Sequence, residues 1–146
     1  MKLEDLKIKK LDKKAIIPTY GTEYSAGADL YALLEEDLEI QPGETKMIGT
    51  GLAMAIPDGY VGLIFARSSL GYKKGLTPAN KVGVIDSDYR GEIKVPIFNQ
   101  SKKAQVITPQ ERIAQIVFIP YLKVKFQETE ILDETVRGIG GFGSTN

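Results

Sequence analysis

Turn signals recur so often along this chain that no apolar run lasts more than a few residues. Gln41-Pro42-Gly43-Glu44, Pro57-Asp58-Gly59, Asp88-Tyr89-Arg90-Gly91 and Thr108-Pro109-Gln110 each combine residues that favour chain reversal. Between such turns lie short runs rich in β-branched and aromatic residues. Strands are expected near Leu6–Leu11, Leu38–Ile40, Thr45–Ile48, Leu52–Ile56, Tyr60–Phe65, Lys81–Ile85, Glu92–Asn99, Ala104–Ile107, Ile113–Ile119 and Lys123–Phe126. Many short strands at this spacing indicate an all-β sandwich or barrel. One helix is expected, Ser68 to Gly75. It opens on serines of the capping type, carries lysines near its end and stops at a glycine. A helix that short is not stable alone.

Composition matters here for what it removes. The 146 residues suit one domain and include no Cys and no His. Disulfides, thiol nucleophiles, the usual zinc clusters and every His-based triad are therefore out. A general base must be Asp, Glu, Lys or Tyr, and a metal should be a hard cation with oxygen ligands, Mg²⁺ first. Lys plus Arg balances Asp plus Glu at 19 each, so no basic field exists to hold nucleic acid or an anionic membrane. The start MKLEDLKIKK lacks an apolar signal region and no run is long enough to span a bilayer, so a cytoplasmic location is expected by default.

Several segments carry chemistry. Gly138-Ile139-Gly140-Gly141-Phe142-Gly143 fits G-x-G-x-x-G, but only Ser144, Thr145 and Asn146 follow, so no helix can open there to hold a pyrophosphate. What survives is a backbone that can approach an anion, with Arg137 as a cationic fork and Ser144 and Thr145 as donors. Phe142 is a large ring with nothing local to bury it. From Glu128 onward the tail could extend about 60 Å at roughly 3.3 Å per residue, far enough to reach a neighbouring subunit. Asn80 to Val95 reads as a β-hairpin with an acidic tip, Asp86-Ser87-Asp88. Ser25-Ala26-Gly27-Ala28-Asp29 places one acid in a small, apolar strand start. Arg67, Ser68 and Ser69 gather anion donors where the helix begins. Glu111 to Phe118 alternates, with Arg112, Ala114 and Ile116 on one face and Ile113, Gln115 and Val117 on the other. Gln115 among branched residues needs hydrogen-bond partners.

Taken in order, SAGADLYA, ARSSLGYKKG, NKVGVIDSDYRGEIKVPIFN, ERIAQIVF and RGIGGFGST resemble the five motifs of the trimeric dUTP pyrophosphatases, the dUTPases. The resemblance runs from about Lys7 to the last residue. Ala66 departs from it, standing where the family often has Pro or Gly. The resemblance implies a jelly-roll-like β-barrel of the β-clip kind, with one short helix and a flexible C-terminal arm. The barrel would span residues 1–127 and the arm 128–146. It implies a homotrimer whose active sites are shared between subunits, and hydrolysis of dUTP to dUMP and pyrophosphate with Mg²⁺. That activity keeps uracil out of DNA and supplies dUMP for dTMP synthesis.

Residue roles follow from the same resemblance. The backbone of Asn80, Gly83, Val84 and Ile85 would match the uracil edge. Cytosine would leave buried groups unpaired there, at roughly 1–3 kcal/mol each. Tyr89 would pack on deoxyribose and reject a 2′-OH, and Phe142 would stack over the base. Arg67, Ser68, Ser69 and Gln115 would hold the phosphates, and Arg137, Gly143, Ser144 and Thr145 would close over them from the arm. Asp29 would hold Mg²⁺ through water. Asp86 would accept from the 3′-OH and serve as the general base that activates water against the α-phosphorus.

Two rivals share this scaffold. A dCTP deaminase needs an acid in the strand after the acidic tip, where this chain has Pro96. A non-catalytic nucleotide-sensing or interaction module has no need to retain Asp29, Asp86, Tyr89, Gln115, Arg137 and Phe142 together.

Overall fold

A computed structural model of the chain describes residues 5–143. The described residues form twelve strands and one helix: β1 (Lys7–Lys10), β2 (Thr19–Tyr20), β3 (Ala28–Tyr31), β4 (Leu38–Ile40), β5 (Thr45–Gly49), β6 (Leu52–Ala55), β7 (Tyr60–Phe65), α1 (Ser68–Lys74), β8 (Leu76–Pro78), β9 (Gly83–Ile85), β10 (Lys94–Asn99), β11 (Gln105–Ile107) and β12 (Arg112–Pro120). They make four sheets, ordered β1-β6, β5-β10-β8, β11-β4 and β2-β3-β12-β7-β9. The ladders are antiparallel, and no sheet closes into a barrel. The architecture is all-β with one short helix, as expected, but it is an open wrap of small sheets.

Short strands follow from the turns. At Gln41–Glu44 the amide of Glu44 donates to the carbonyl of Gln41 at 3.0 Å. Gly43 takes φ +76° at the third position, which a type II turn demands and a side chain resists. Each strand is then too short to bury a face by itself, and the sheets share one core. Leu30, Ile40, Ile48, Leu52, Leu76, Ile97, Ile107 and Ile116 are fully buried and come from all four sheets. Aliphatic side chains that branch near the backbone fill a core of thin layers at the density proteins need.

Four expectations change. The segment Asn80–Val95 is not a hairpin: β9 pairs with β7, whereas β10 pairs with β5 and β8. The helix is capped not by serine but by Arg67, in extended conformation and without a side-chain cap, so Ser68 and Ser69 are its first residues. Lys123–Phe126 forms no strand, and Leu122 and Phe126 stand exposed, because the last pairing ends at Pro120. Finally, β12 carries a bulge between Arg112 and Ala114. The extra residue, Ile113, breaks the alternation. Arg112 therefore shares a face with Gln115 rather than with Ala114, while Ile113 and Ala114 are both fully buried.

Candidate active site

The bulge decides who meets Asp29. On β3, Asp29 lies opposite Gln115 and Tyr31 lies opposite Arg112. Asp29 is thus a buried carboxylate with two arginines at hand. Arg67 Nε donates to Oδ1 at 2.7 Å, and an Arg112 terminal nitrogen donates to Oδ2 at 3.2 Å. A buried acid needs such partners, and a short, aligned N–H···O⁻ contact is among the stronger ones. Arg67 also reaches Ser69 Oγ at 3.3 Å. Two directions of its fork are fixed, and the residue lines a cleft of about 410 Å³ together with Ser25, Gly27, Asp29, Ser68 and Gln115.

Gln115 finds the partner its position requires: Nε2 donates to the carbonyl of Ala66 at 3.0 Å. Its amide lies over Gly27, where an added β-carbon would collide with Oε1 and come within 3.1 Å of Cδ. Helix α1 is held down at its far end. Lys74 Nζ donates to the Val106 carbonyl at 2.7 Å and to Glu111 Oε1 at 2.5 Å. Ser69 borders a second, smaller cleft beside Lys73, Lys74 and Arg112. The phosphate-type donors Arg67, Ser68, Ser69 and Gln115 therefore converge on one region.

The acidic tip lies elsewhere. Asn80, Val84, Ile85, Asp86 and Tyr89 line a cleft of about 400 Å³ together with Met47, Glu92, Lys94 and Pro96. Asp86 is exposed. The loop that carries it is tied by Tyr89 N–H to the Asp86 carbonyl at 3.2 Å and by Arg90, which donates to the Ser87 and Tyr89 carbonyls at 2.6 and 2.9 Å. Gly83 is buried; a β-carbon there would lie 3.2 Å from Cβ of Ile64, so its bareness serves packing on β7. Each cleft alone is at the low end for a small-molecule site.

The register shows how far apart the two groups are. Ile85 lies opposite Gly62, which sets Asp86 level with Val61, while Arg67 lies past the other end of β7. Six extended residues separate Val61 from Arg67, about 20 Å at roughly 3.3 Å each. Within one chain, the acidic tip and the phosphate donors lie at opposite ends of β7.

None of the arm's described residues lines either cleft. Val136, Ile139 and Phe142 are fully exposed, Phe142 at φ +51° and Gly143 at φ +92°. Arg137 Nε donates to the Gly140 carbonyl at 2.9 Å, within the arm itself. The expected donors Ser144 and Thr145 lie outside the described residues. Sequence reasoning overlooked Arg112 as a partner of Asp29, and Met47, Glu92 and Lys94 beside the tip. The bulge hides the first; Met47 and Lys94 sit on β5 and β10, and Glu92 just before β10, so only the fold brings the three beside the tip.

A family model described as dUTPase matches residues 13–146. A deoxyuridine 5′-triphosphate nucleotidohydrolase of Nautilia profundicola is 53% identical over 140 residues, covering 96% of this chain and 97% of the relative. One of Acinetobacter baumannii is 45% identical over 137 residues, covering 93% and 91%. Among solved structures, the dUTPase of Staphylococcus bacteriophage 80alpha with dUPNHPP superposes with a TM-score of 0.85 at 28% identity, over 99% of both chains. With a matching family model over most of its length and close relatives over nearly all of it, the chain belongs to the dUTPase family, whose β-clip architecture its open wrap of sheets shares.

Proposed function

We propose that the chain hydrolyses dUTP to dUMP and pyrophosphate in a site assembled between subunits of a homotrimer, with a water activated by Asp86 attacking the α-phosphorus. The observation that carries this reading is the separation of about 20 Å along β7 between the acidic tip and Arg67. If Asp86 of one subunit meets Arg67 of its neighbour, the two half-clefts make one site for a whole nucleotide.

The roles then follow. The exposed backbone of Val84 and Ile85, with Asn80, takes the uracil edge. Tyr89 packs against the sugar, and Asp86 accepts from the 3′-OH and from the attacking water. Arg67 enters the site already oriented by Asp29, so little entropy is lost in gripping phosphate. Ser68, Ser69 and Gln115 add neutral donors along the chain of phosphates. Arg137, Phe142 and Gly143 close from an arm whose described residues have no seat on their own subunit, excluding water other than the nucleophile.

Mg²⁺ does not fit as a protein-held ion. Among the described residues no group of three acids could hold it. Both oxygens of Asp29 face guanidinium groups, so its task here is to orient Arg67. The oxygen donors a hard cation prefers are on the triphosphate, and Mg²⁺ enters with the substrate.

Pyrophosphate release from dUTP, dTTP, dCTP and UTP at fixed Mg²⁺ tests the reading. Release from dUTP alone is expected. Ammonia release from dCTP, or equal turnover of all four, would overturn it.

A further inference from the structure

We propose that Gly91 and Glu92 are positioning residues that hold the ring of Tyr89, and so set how strongly the site rejects a ribonucleotide. The inference rests on the reading that Tyr89 packs against the sugar.

Gly91 lies outside the positive-φ glycines, so its backbone does not demand a missing side chain. The tyrosine does. A β-carbon on Gly91 would lie 2.6 Å from Cζ of Tyr89 and 3.0 Å from Cε2. The ring folds back over its own turn and occupies that space. Its hydroxyl then donates to the Glu92 carbonyl at 3.0 Å.

That carbonyl is itself immobilised. It belongs to the peptide unit whose N–H, on Ile93, donates to the Leu52 carbonyl at 2.8 Å. A peptide unit is planar, so fixing the N–H fixes the opposite carbonyl. Thr50 adds a second staple: its amide and its buried hydroxyl both donate to the Ile93 carbonyl, at 3.1 and 2.7 Å. The Glu92 carboxylate adds a third, accepting from Gly51 N–H at 2.9 Å. Gly49 leaves room for that carboxylate, because a β-carbon there would lie 3.2 Å from Glu92 Cδ. Tyr89 is thus the exposed end of a chain of contacts anchored in the turn between β5 and β6. A ring held at both edge and hydroxyl cannot swing aside for an added 2′-OH, whereas a loose ring can.

The test is the ratio of kcat/KM for dUTP to that for UTP in Gly91→Ala, Tyr89→Phe and Tyr89→Ala. General damage lowers both rates alike and leaves the ratio unmoved. The ratio is expected to fall at least tenfold in Gly91→Ala and severalfold in Tyr89→Phe, which keeps the ring but loses the hydroxyl. An unchanged ratio in Gly91→Ala, with a collapsed ratio in Tyr89→Ala, overturns the positioning role alone. An unchanged ratio in Tyr89→Ala overturns the sugar reading and this inference with it. Should Gly91→Ala fail to fold, an unchanged ratio in Tyr89→Phe overturns the positioning role.

Discussion

Arg67 Nε lies 2.7 Å from Oδ1 of Asp29, and both side chains are largely removed from water. The pair joins β3 to the residue that caps α1, so one contact serves both the fold and the phosphate cleft. Removing the acid leaves a mostly buried guanidinium without its counter-charge. Asp29→Ala should cost about 3 kcal/mol of stability, roughly 5–10 °C in Tm for a chain of this size. Thermal unfolding checks this. By contrast, Lys14 and Glu35 pair in the open, and Glu35→Ala should leave Tm unchanged.

Gly27 exists for Gln115. Gly27→Ala should push the Gln115 amide off the Ala66 carbonyl while leaving the strands intact. We expect kcat/KM for dUTP to fall about tenfold, as a misplaced phosphate donor should. Steady-state kinetics, with circular dichroism to confirm the fold, measures it; full activity would detach Gln115 from the phosphates.

Lys81 holds φ +65° without being glycine, in the turn that leads into β9. Lys81→Gly relieves roughly 1–2 kcal/mol of backbone strain and adds roughly 0.5–1 kcal/mol of unfolded-state entropy. A net gain of about 0.5 kcal/mol by denaturant titration is expected.

The strands were legible wherever alternation met a turn signal, as at Thr45–Gly49 and Tyr60–Phe65. Their partners were not. Two apolar runs around Asp86 imitate a hairpin because local pattern carries no record of which edge a strand will find. Thr19–Tyr20 and Leu76–Pro78 are too short to alternate, and Pro78 weakens the second further. Ile113 shows the limit most clearly, since counting by twos along Arg112–Gln115 gives the wrong face once a bulge intervenes. The chemistry of the site was readable because acids, donors and glycines cluster in motifs. Its division into two distant clefts was not, because it arises from the β7–β9 register.

The described residues of the arm add nothing to the core. Deleting residues 137–146 should leave Tm within about a degree of the full chain, since the side chains lost from the described arm, Ile139 and Phe142 among them, are fully exposed. Turnover of dUTP should fall by orders of magnitude, as loss of a closing segment predicts. Calorimetry and pyrophosphate release on the same preparation separate the two effects.

The most direct test of the composite site is subunit complementation. Asp86→Asn and Arg67→Ala chains, each inactive as a homotrimer, are unfolded, mixed in equal amounts and refolded together. If Asp86 of one subunit serves Arg67 of another, about a quarter of wild-type turnover should return, because one random pairing in four restores both groups at one site. If both residues act from the same subunit, no site regains them together, and a mixture as inactive as its parents would contradict the account.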